Sequence, residues 1–151
     1  MPEVIRGRRD PAAVESLLRQ LPEWFGIEEA IVRYVEDARQ LPTYLAVEGN
    51  VLVGAVLLRR HFPCAAEIQL MLVHPGRQRR GIGRALLQSV EADLAADGVR
   101  WLQVKTLGPS KPSRAYATTR AFYEACGFDP LEEIAGLWVD DPCLIMVKLV
   151  E

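Results

Sequence analysis

The sequence of 151 residues has no long hydrophobic run. No apolar stretch approaches the roughly 20 residues that a membrane-spanning helix needs, which predicts no membrane association. The first ten residues carry charges and lack the apolar centre of a secretory signal peptide. We therefore expect a cytoplasmic protein.

Cysteine is scarce, with only Cys64, Cys126 and Cys143 in the chain. The number is odd and no two are close in sequence, which argues against a disulfide framework, a Cys-x-x-Cys zinc site and a redox pair. We expect no metal. A Cys–His nucleophile made from Cys126 or Cys143 with His74 is conceivable, although buried free cysteines are usually inert packing residues.

The chain also lacks an excess of either charge, since 18 lysines and arginines stand against 20 aspartates and glutamates, for a net charge of −2. A general nucleic-acid-binding protein usually carries a large positive excess, so we expect no nucleic-acid partner. The composition, 50% hydrophobic and 25% charged, is typical of a globular protein. The length suits one domain with a real core, and we interpret residues 1–151 as a single domain.

Hydrophobic periodicity and turn residues predict a mixed α/β domain in the order β-α-α-β-β-β-α-β-α-β-β, with a sheet of about seven strands. The predicted strands are residues 3–7, 43–47, 51–58, 65–73, 99–107, 131–138 and 143–150. The predicted helices are residues 11–21, 27–41, 81–96 and 115–126. Alternation within the strand 65–73 predicts two faces, with Glu67, Gln69 and Met71 on one and Ile68, Leu70 and Leu72 on the other.

The most informative stretch is residues 73–87, which runs from a strand through a short loop and two glycines into a helix. Amide groups at a helix start are unpaired, and Gly81 and Gly83 would let an anion approach them closely, so a side chain at either position should block it. Four cations surround the turn: Arg77, Arg79, Arg80 and Arg84. A plain capped turn needs neither two glycines nor four arginines, so the pattern indicates a site for a pyrophosphate.

Common phosphate-binding motifs do not fit this turn. A P-loop ends in Gly-Lys-Ser/Thr, whereas this chain has Gly83-Arg84-Ala85, and a Rossmann fingerprint needs Gly or Ala where Leu86 stands. A nucleic-acid patch would interleave aromatic residues with the arginines, and this turn has none.

The spacing Gln78-x-x-Gly81-x-Gly83 resembles the glycine turn of the GCN5-related N-acetyltransferase (GNAT) superfamily. Val73-His74-Pro75 before it is similar to the strand end of many members, and residues 119–128 are similar to the family's later helix with its closing Gly-Phe. The predicted order of elements also follows the family along nearly the whole chain.

This resemblance implies a mostly antiparallel sheet of about seven strands, split between the fourth and fifth and flanked by four helices. It also implies that acetyl-coenzyme A binds in that split. The pyrophosphate would lie on the turn and the pantetheine arm beside the fourth strand. The residues implied are Met71, Leu72, Val73, Gln78, Arg79, Arg80, Gly81, Ile82, Gly83, Arg84 and Ala85.

Two residues occupy positions that resemble the family's catalytic groups. Tyr123 stands where members often carry a tyrosine near the coenzyme sulfur, and the alternative is a helix tyrosine that packs in the core. Glu67 lies eleven residues before Gln78, the spacing of the general-base glutamate in one branch, or it is a carboxylate that faces solvent or pairs with an arginine. Tyr116 replaces an asparagine that contacts the coenzyme in many relatives, and its hydroxyl could substitute.

The resemblance places the acceptor between the first two helices and the loop joining the last two strands, where this chain has Trp24, Phe25, Glu28, Glu29, Trp138, Asp140 and Asp141. Aromatic and acidic side chains together suit a cationic amine. We interpret the chain as an N-acetyltransferase that moves an acetyl group from acetyl-coenzyme A to a primary amine of a small molecule or peptide, by direct attack in a ternary complex. The alternatives are a non-catalytic acyl-coenzyme A sensor and a protein lysine or N-terminal acetyltransferase. A homodimer fits the resemblance.

Overall fold

The computed structural model describes residues 2–151 and contains one seven-stranded sheet with four α-helices around it. The strands are β1 (Glu3–Arg6), β2 (Thr43–Glu48), β3 (Val51–Phe62), β4 (Ala65–Val73), β5 (Trp101–Leu107), β6 (Asp129–Ile134) and β7 (Cys143–Leu149). The helices are α1 (Pro11–Arg19), α2 (Glu28–Gln40), α3 (Ile82–Ala96) and α4 (Arg114–Ala125). The predicted fold class and order of elements are confirmed, and the strand order is β1-β2-β3-β4-β5-β7-β6.

The helices cover the sheet in two layers, each with its own hydrophobic core. On one face, α1 and α2 bury Val14, Leu17 and Ile31 against β2, β3 and β4. On the other face, α3 and α4 pack on β2 to β5 through residues such as Leu86 and Tyr123. The amphipathic spacing of these helices accounts for the arrangement, because each turns one apolar stripe toward the sheet.

The sheet is split between β4 and β5. These two strands are parallel, and their pairing joins residues 65–68 to 101–104 and ends at Ile68 and Val104. From there β4 stays paired with β3, while β5 stays paired with β7 to its end. The implied split is therefore confirmed, and it leaves one edge of each strand without a neighbouring strand.

A β-bulge lies in β4 at the start of this split. Leu57 of β3 pairs with Leu70 and the next residue, Leu58, pairs with Ile68, so Gln69 is an extra residue in β4. Such a bulge shifts the alternation of faces by one residue. The predicted faces of this strand are therefore wrong, because Ile68 packs with α3 and α4 whereas Leu70 and Leu72 pack with α1 and α2.

The largest error in element bounds is at β6, which spans Asp129–Ile134 rather than the predicted residues 131–138. Residues 135–142 form an irregular connection that leads to β7, and Gly136 within it has φ +91°. Left-handed backbone of this kind ends a strand, and it lets the connection turn toward the split.

None of the helices within residues 2–151 combines the length and the apolar character needed to cross a membrane.

Candidate active site

A cleft of about 770 Å³ occupies the split between β4 and β5. Its walls come from both strands, from the glycine turn before α3, from α4 and from the connection between α1 and α2. The volume lies in the range of small-molecule sites, which is roughly 300–1,000 Å³. The loss of strand pairing thus creates a cavity in the middle of the sheet.

The glycine turn forms one end of the cleft with its backbone. Arg79 has φ +65° and Gly81 has φ +81°, so two left-handed residues lie just before the first turn of α3. Gly81 is the N-cap and supplies no capping side chain, which leaves the first amides of the helix open to a ligand. Six of the predicted residues line the cleft here: Gln78, Arg79, Gly81, Ile82, Gly83 and Arg84.

The other predicted residues of the turn lie outside the cleft wall. Arg80 and Ala85 are not among the lining residues. Arg77 forms an ion pair with Glu48, with 2.8 Å between Nε and Oε1. Of the four arginines, Arg79 and Arg84 are therefore the two whose side chains or backbone face the cavity.

Glycine is needed at the two positions of the turn for different structural reasons. A Cβ atom added at Gly81 would meet nothing within 4 Å, so that position needs glycine for its positive φ. A Cβ atom at Gly83 would lie 2.9 Å from Phe122 Cζ and 3.0 Å from Met71 Cε. A side chain at Gly83 would therefore collide with α4 and β4, and its effect on an anion at the turn stays a prediction.

Beyond the bulge, β4 supplies the long wall of the cleft. Met71, Leu72 and Val73 all line it, as predicted from the resemblance. These residues pair with β3 alone, and the backbone groups that point toward the split have no strand partner. Such groups need a hydrogen-bonding partner, so this edge is suited to an extended ligand that carries amides.

Tyr123 is buried and lies on the cleft wall. Its ring packs against Phe122 and Phe128, with centroid distances of 5.4 and 5.3 Å. Its hydroxyl group donates a weak hydrogen bond to Met71 Sδ at 3.7 Å. Burial raises the pKa of Tyr123 above that of a free phenol. The side chain therefore combines a packing role with a protonated hydroxyl group at the cavity.

Glu67 is 4% exposed and is not among the lining residues of the cleft. Its Oε1 atom lies 2.7 Å from His61 Nε2, and accepts from Gln103 Nε2 and Lys105 Nζ at 3.3 Å each. Lys105 does line the cleft. Lys105 therefore lies between the Glu67 carboxylate and the cavity and contacts both.

The predicted acceptor residues divide into two groups. Trp24, Phe25, Trp138 and Asp141 line the cleft, whereas Glu28, Glu29 and Asp140 do not. Glu28 binds Arg19 instead, with 2.8 Å between Oε1 and Nη2, and these hydrogen bonds lower the pKa of the Glu28 carboxyl group. This carboxylate therefore joins α1 to α2 outside the cavity.

Several lining residues were missed by the sequence reasoning: Glu23, Tyr34, Gln69, Lys105 and Lys111. Tyr34 packs edge-on against Phe25, with 5.8 Å between ring centroids. The alternation of Gln103 and Lys105 with Leu102 and Val104 was a usable signal, because it places polar side chains of β5 on the α2 side of the split.

Tyr116 turns its hydroxyl group toward the connection between α1 and α2. The hydroxyl donates to the backbone oxygen of Trp24 at 2.8 Å, and burial raises the pKa of Tyr116 to about 12. In return, Trp24 Nε1 donates to Thr119 Oγ1 at 2.9 Å. Both aromatic residues line the cleft.

The buried cysteines lie apart from this cavity. Cys126 and Cys143 are buried and do not line the cleft, and burial raises the pKa of both thiols. His74 Nδ1 accepts from the amide of Gly76 at 3.0 Å. The raised pKa values of the two thiols and their position outside the cleft wall give no support to a nucleophilic Cys–His pair.

Solved structures of similar fold are numerous. A protein assigned to the GNAT acetyltransferase family from Desulfovibrio desulfuricans is 23% identical with a TM-score of 0.87, and 100% of each chain is covered. The ribosomal-protein-S18-alanine N-acetyltransferase from Escherichia coli is 17% identical with a TM-score of 0.79, over 100% of this chain and 95% of that one. An aminoglycoside 6'-N-acetyltransferase complexed with coenzyme A is 18% identical with a TM-score of 0.79, over 99% and 97%.

These likenesses show the fold. A search of the curated proteins finds no significant match. The acetyltransferase (GNAT) domain family model matches residues 39–130, which run from the end of α2 to the start of β6 and so include the glycine turn, both split strands and α4. More than half of the chain is matched, and the protein belongs to the GNAT family of acetyltransferases.

Proposed function

We propose that this acetyltransferase takes its acetyl group from acetyl-coenzyme A and transfers it to a primary amine of a small molecule, by direct attack within a ternary complex. The observation that carries the proposal is the end of pairing between β4 and β5 at Ile68 and Val104, which opens a cleft that is also lined by a helix start with open amides. A thioester and an amine can meet there inside the sheet.

The coenzyme fits the chemistry of the lining residues. Open amides at the start of α3, together with Arg79 and Arg84, suit a pyrophosphate, because both supply positive potential. The free edge of β4 at Met71, Leu72 and Val73 suits the two amides of a pantetheine arm. The likeness to a coenzyme A complex supports the same ligand.

Transfer needs a neutral amine, a donor for the oxygen of the thioester carbonyl, and a proton for the leaving sulfur. The amine nitrogen forms the new bond to the carbonyl carbon, and the carbon–sulfur bond breaks. Tyr123 gives its hydroxyl proton to the departing thiolate. The phenol is protonated at neutral pH, and its present acceptor, Met71 Sδ, binds it weakly, so the hydroxyl group is available to the sulfur. Burial raises the pKa of Tyr123, so the proton moves only as negative charge develops on the sulfur.

Glu67 accepts the proton that the amine loses, through water. The route runs past Lys105, which contacts both the carboxylate and the cleft. His61 also contacts the carboxylate, and its side chain is 38% exposed, so the far side of Glu67 is linked to solvent.

The acceptor lies among Trp24, Phe25, Tyr34 and Trp138, with Glu23 at the rim of the cleft. Aromatic faces with a carboxylate nearby favour a cationic amine that has an apolar body. One of the similar structures is an enzyme that acts on aminoglycosides and another acts on the alanine of a ribosomal protein. The cleft volume of about 770 Å³ lies in the range of small-molecule sites and favours the small-molecule class.

The direct experiment is release of free thiol from acetyl-coenzyme A in the presence of a panel of amines. We expect release with at least one small primary amine, together with a product whose mass is higher by one acetyl group. Tight coenzyme binding with no release on any amine would instead indicate an acyl-coenzyme A sensor. Release only with polypeptides would indicate a protein acetyltransferase.

A further inference from the structure

Two side chains bridge the split in the sheet. The connection between α1 and α2 belongs to the helical layer on one face, and α4 belongs to the layer on the other face. A continuous sheet keeps such layers apart, so side chains from them meet only where strands separate. Trp24 from the first layer and Tyr116 and Thr119 from the second meet at the split.

The contact between the layers consists of directional hydrogen bonds rather than of loose packing. Tyr116 Oη donates to Trp24 O at 2.8 Å. Trp24 Nε1 donates to Thr119 Oγ1 at 2.9 Å, and its distance to the backbone oxygen of Ala115 is 3.3 Å. All of these groups are partly buried, where such bonds resist competition from water.

The other side of the cleft is also tied together. Lys111, between β5 and α4, pairs with Asp141, between β6 and β7, at 2.5 Å. The amide of Gly108 donates to the backbone oxygen of Pro142 at 2.9 Å. Lys111 and Asp141 both line the cleft, so connecting loops border the cavity on this side as well.

We propose that Trp24, Tyr116 and Thr119 form a strap across the cleft that admits a small amine and excludes an amine carried by a polypeptide. This inference rests on the proposed function, because it assigns the size of the acceptor for the same site. A polypeptide needs an open path of about 3.3–3.6 Å for each extended residue that follows its reactive amine. The strap crosses the split where such a path would run, whereas an isolated amine needs only the cleft of about 770 Å³.

The matched substrates for the test are L-lysine amide and a decapeptide that begins with lysine, because each offers an α-amine and an ε-amine. The strap variants are Tyr116→Phe and Thr119→Val, which remove one hydroxyl group each and keep the rest of the side chain. Thr118→Val is the matched control from the same cleft wall, because the Thr118 hydroxyl donates to the backbone oxygen of Arg114 within α4 and takes no part in the contact with Trp24.

We expect the wild type to prefer lysine amide over the decapeptide in kcat/KM by at least about tenfold, which corresponds to about 1.4 kcal/mol. Each strap variant should reduce this preference severalfold, and Thr118→Val should keep it. Hydrogen exchange supplies a readout that is independent of turnover. Amides of residues 20–27 should exchange faster in both strap variants than in the wild type or the control.

Two results would contradict the proposed role of the strap. One is acetylation of the decapeptide by the wild type with a kcat/KM within threefold of that for lysine amide. The other is unchanged exchange of residues 20–27 and an unchanged substrate preference in both strap variants. If hydrogen exchange is faster in the strap variants but no amine leads to thiol release, the proposed function is rejected. The inference that these hydrogen bonds hold the two layers together would still stand.

Discussion

In the proposed reaction, Tyr123 combines a packing role with a chemical one. Its ring contacts Phe122 and Phe128 in the core between α4 and the sheet, while its hydroxyl group reaches the cleft. A carboxylic acid would need a large pKa shift to stay protonated there, whereas a phenol with an ordinary pKa near 10 remains neutral at little cost. Burial moves its pKa further upward.

The first prediction concerns that hydroxyl group. Tyr123→Phe should lower kcat by about 10²–10⁴-fold, the usual loss for a general acid, while KM for acetyl-coenzyme A changes little. Because the raised pKa keeps the phenol protonated throughout this range, the defect should be constant from about pH 6 to pH 9. Steady-state kinetics across that range provide the measurement. A folded variant with kcat within threefold of wild type would leave Tyr123 as a packing residue.

The second prediction concerns Glu67. Glu67→Gln should depress kcat/KM most at low pH, where the acceptor amine is charged and a base is required to remove its proton. At high pH the free amine needs no base, so the ratio of wild type to variant should fall toward one. The measurement is kcat/KM against pH for both proteins.

A control variant separates this role from the ion pair with Lys105. Lys105→Met removes the cation, which is 3.3 Å from the carboxylate, and leaves His61 and Gln103 in contact with Glu67. It should not reproduce the steep pH dependence of Glu67→Gln. A defect of Glu67→Gln that is independent of pH would mean that the carboxylate only organises its neighbours.

At the scale of single residues, the sequence predicted the groups whose spacing is local. Gln78, Gly81 and Tyr123 sit within short motifs, and they lie at the cleft. The contact between Trp24 and Tyr116 could not be predicted, because it joins residues 92 positions apart through a gap in the sheet. Glu28 and Glu29 do not line the cleft, and their position at a helix start near the site does not tell which side chains face inward.

At the scale of elements, the glycine turn is the feature whose two halves need separate tests. Gly81 gives the turn its left-handed backbone, and Gly83 lets α3 approach α4 and β4 closely. The motif alone predicted one purpose for both glycines. The difference becomes visible only when the neighbours of each position are known.

The third prediction contrasts these positions. Gly81→Val strains a backbone with φ +81° and places a branched side chain at the open amides, so affinity for coenzyme A should fall at least about tenfold, or 1.4 kcal/mol. Gly83→Ala should cost about 1–3 kcal/mol of unfolding free energy through overpacking against Phe122. Calorimetric titration measures the first effect and urea unfolding the second.

A double variant checks the cause at Gly83. Phe122→Leu removes the ring atoms that a new Cβ would meet at 2.9 and 3.1 Å. Gly83→Ala combined with Phe122→Leu should therefore be less destabilised than the sum of the two single variants, by at least about 0.5 kcal/mol. Strict additivity would show that the collision is relieved in another way.

For the other position, wild-type coenzyme affinity in a folded Gly81→Val protein would contradict the role of the turn.

The β-bulge at Gln69 marks the limit of prediction for strands. Residues 65–73 were correctly predicted as a strand, because the apolar alternation is strong. The bulge depends on how β4 pairs with Leu57 and Leu58 of β3, so the strand's own sequence carries no clear signal for it. Its effect is large, since it sends Ile68 and Leu70 into different cores at the point where the split opens.

At the scale of the whole molecule, the split divides the sheet into two parts that share little pairing. β1 to β4 form one part and β5 to β7 the other, and they are joined by the residues 65–68 and 101–104 and by the helical layers. A ligand that lies between the parts would bridge them and supply hydrogen bonds to both free edges. Binding should therefore stabilise the fold as a whole.

The fourth prediction is the size and selectivity of that stabilisation. A ligand that binds only the native state at about 100 times its Kd adds about 2.7 kcal/mol to the unfolding free energy. For a domain of this size each kcal/mol raises Tm by roughly 2–4 °C, so acetyl-coenzyme A should raise Tm by roughly 5–10 °C. Thermal unfolding with and without ligand gives the measurement.

Selectivity is the stronger part of this test. NAD and ATP also carry phosphates that the glycine turn could bind, but neither has a pantetheine arm for the free edge of β4, so both should raise Tm much less at equal concentration. Gly81→Val should remove most of the shift, because it acts on the turn without touching the core. Equal shifts with ATP and acetyl-coenzyme A would mean that the turn alone binds nucleotides. The free edge of β4 would then contribute nothing to binding, and the position proposed for the acyl chain within the split would be wrong.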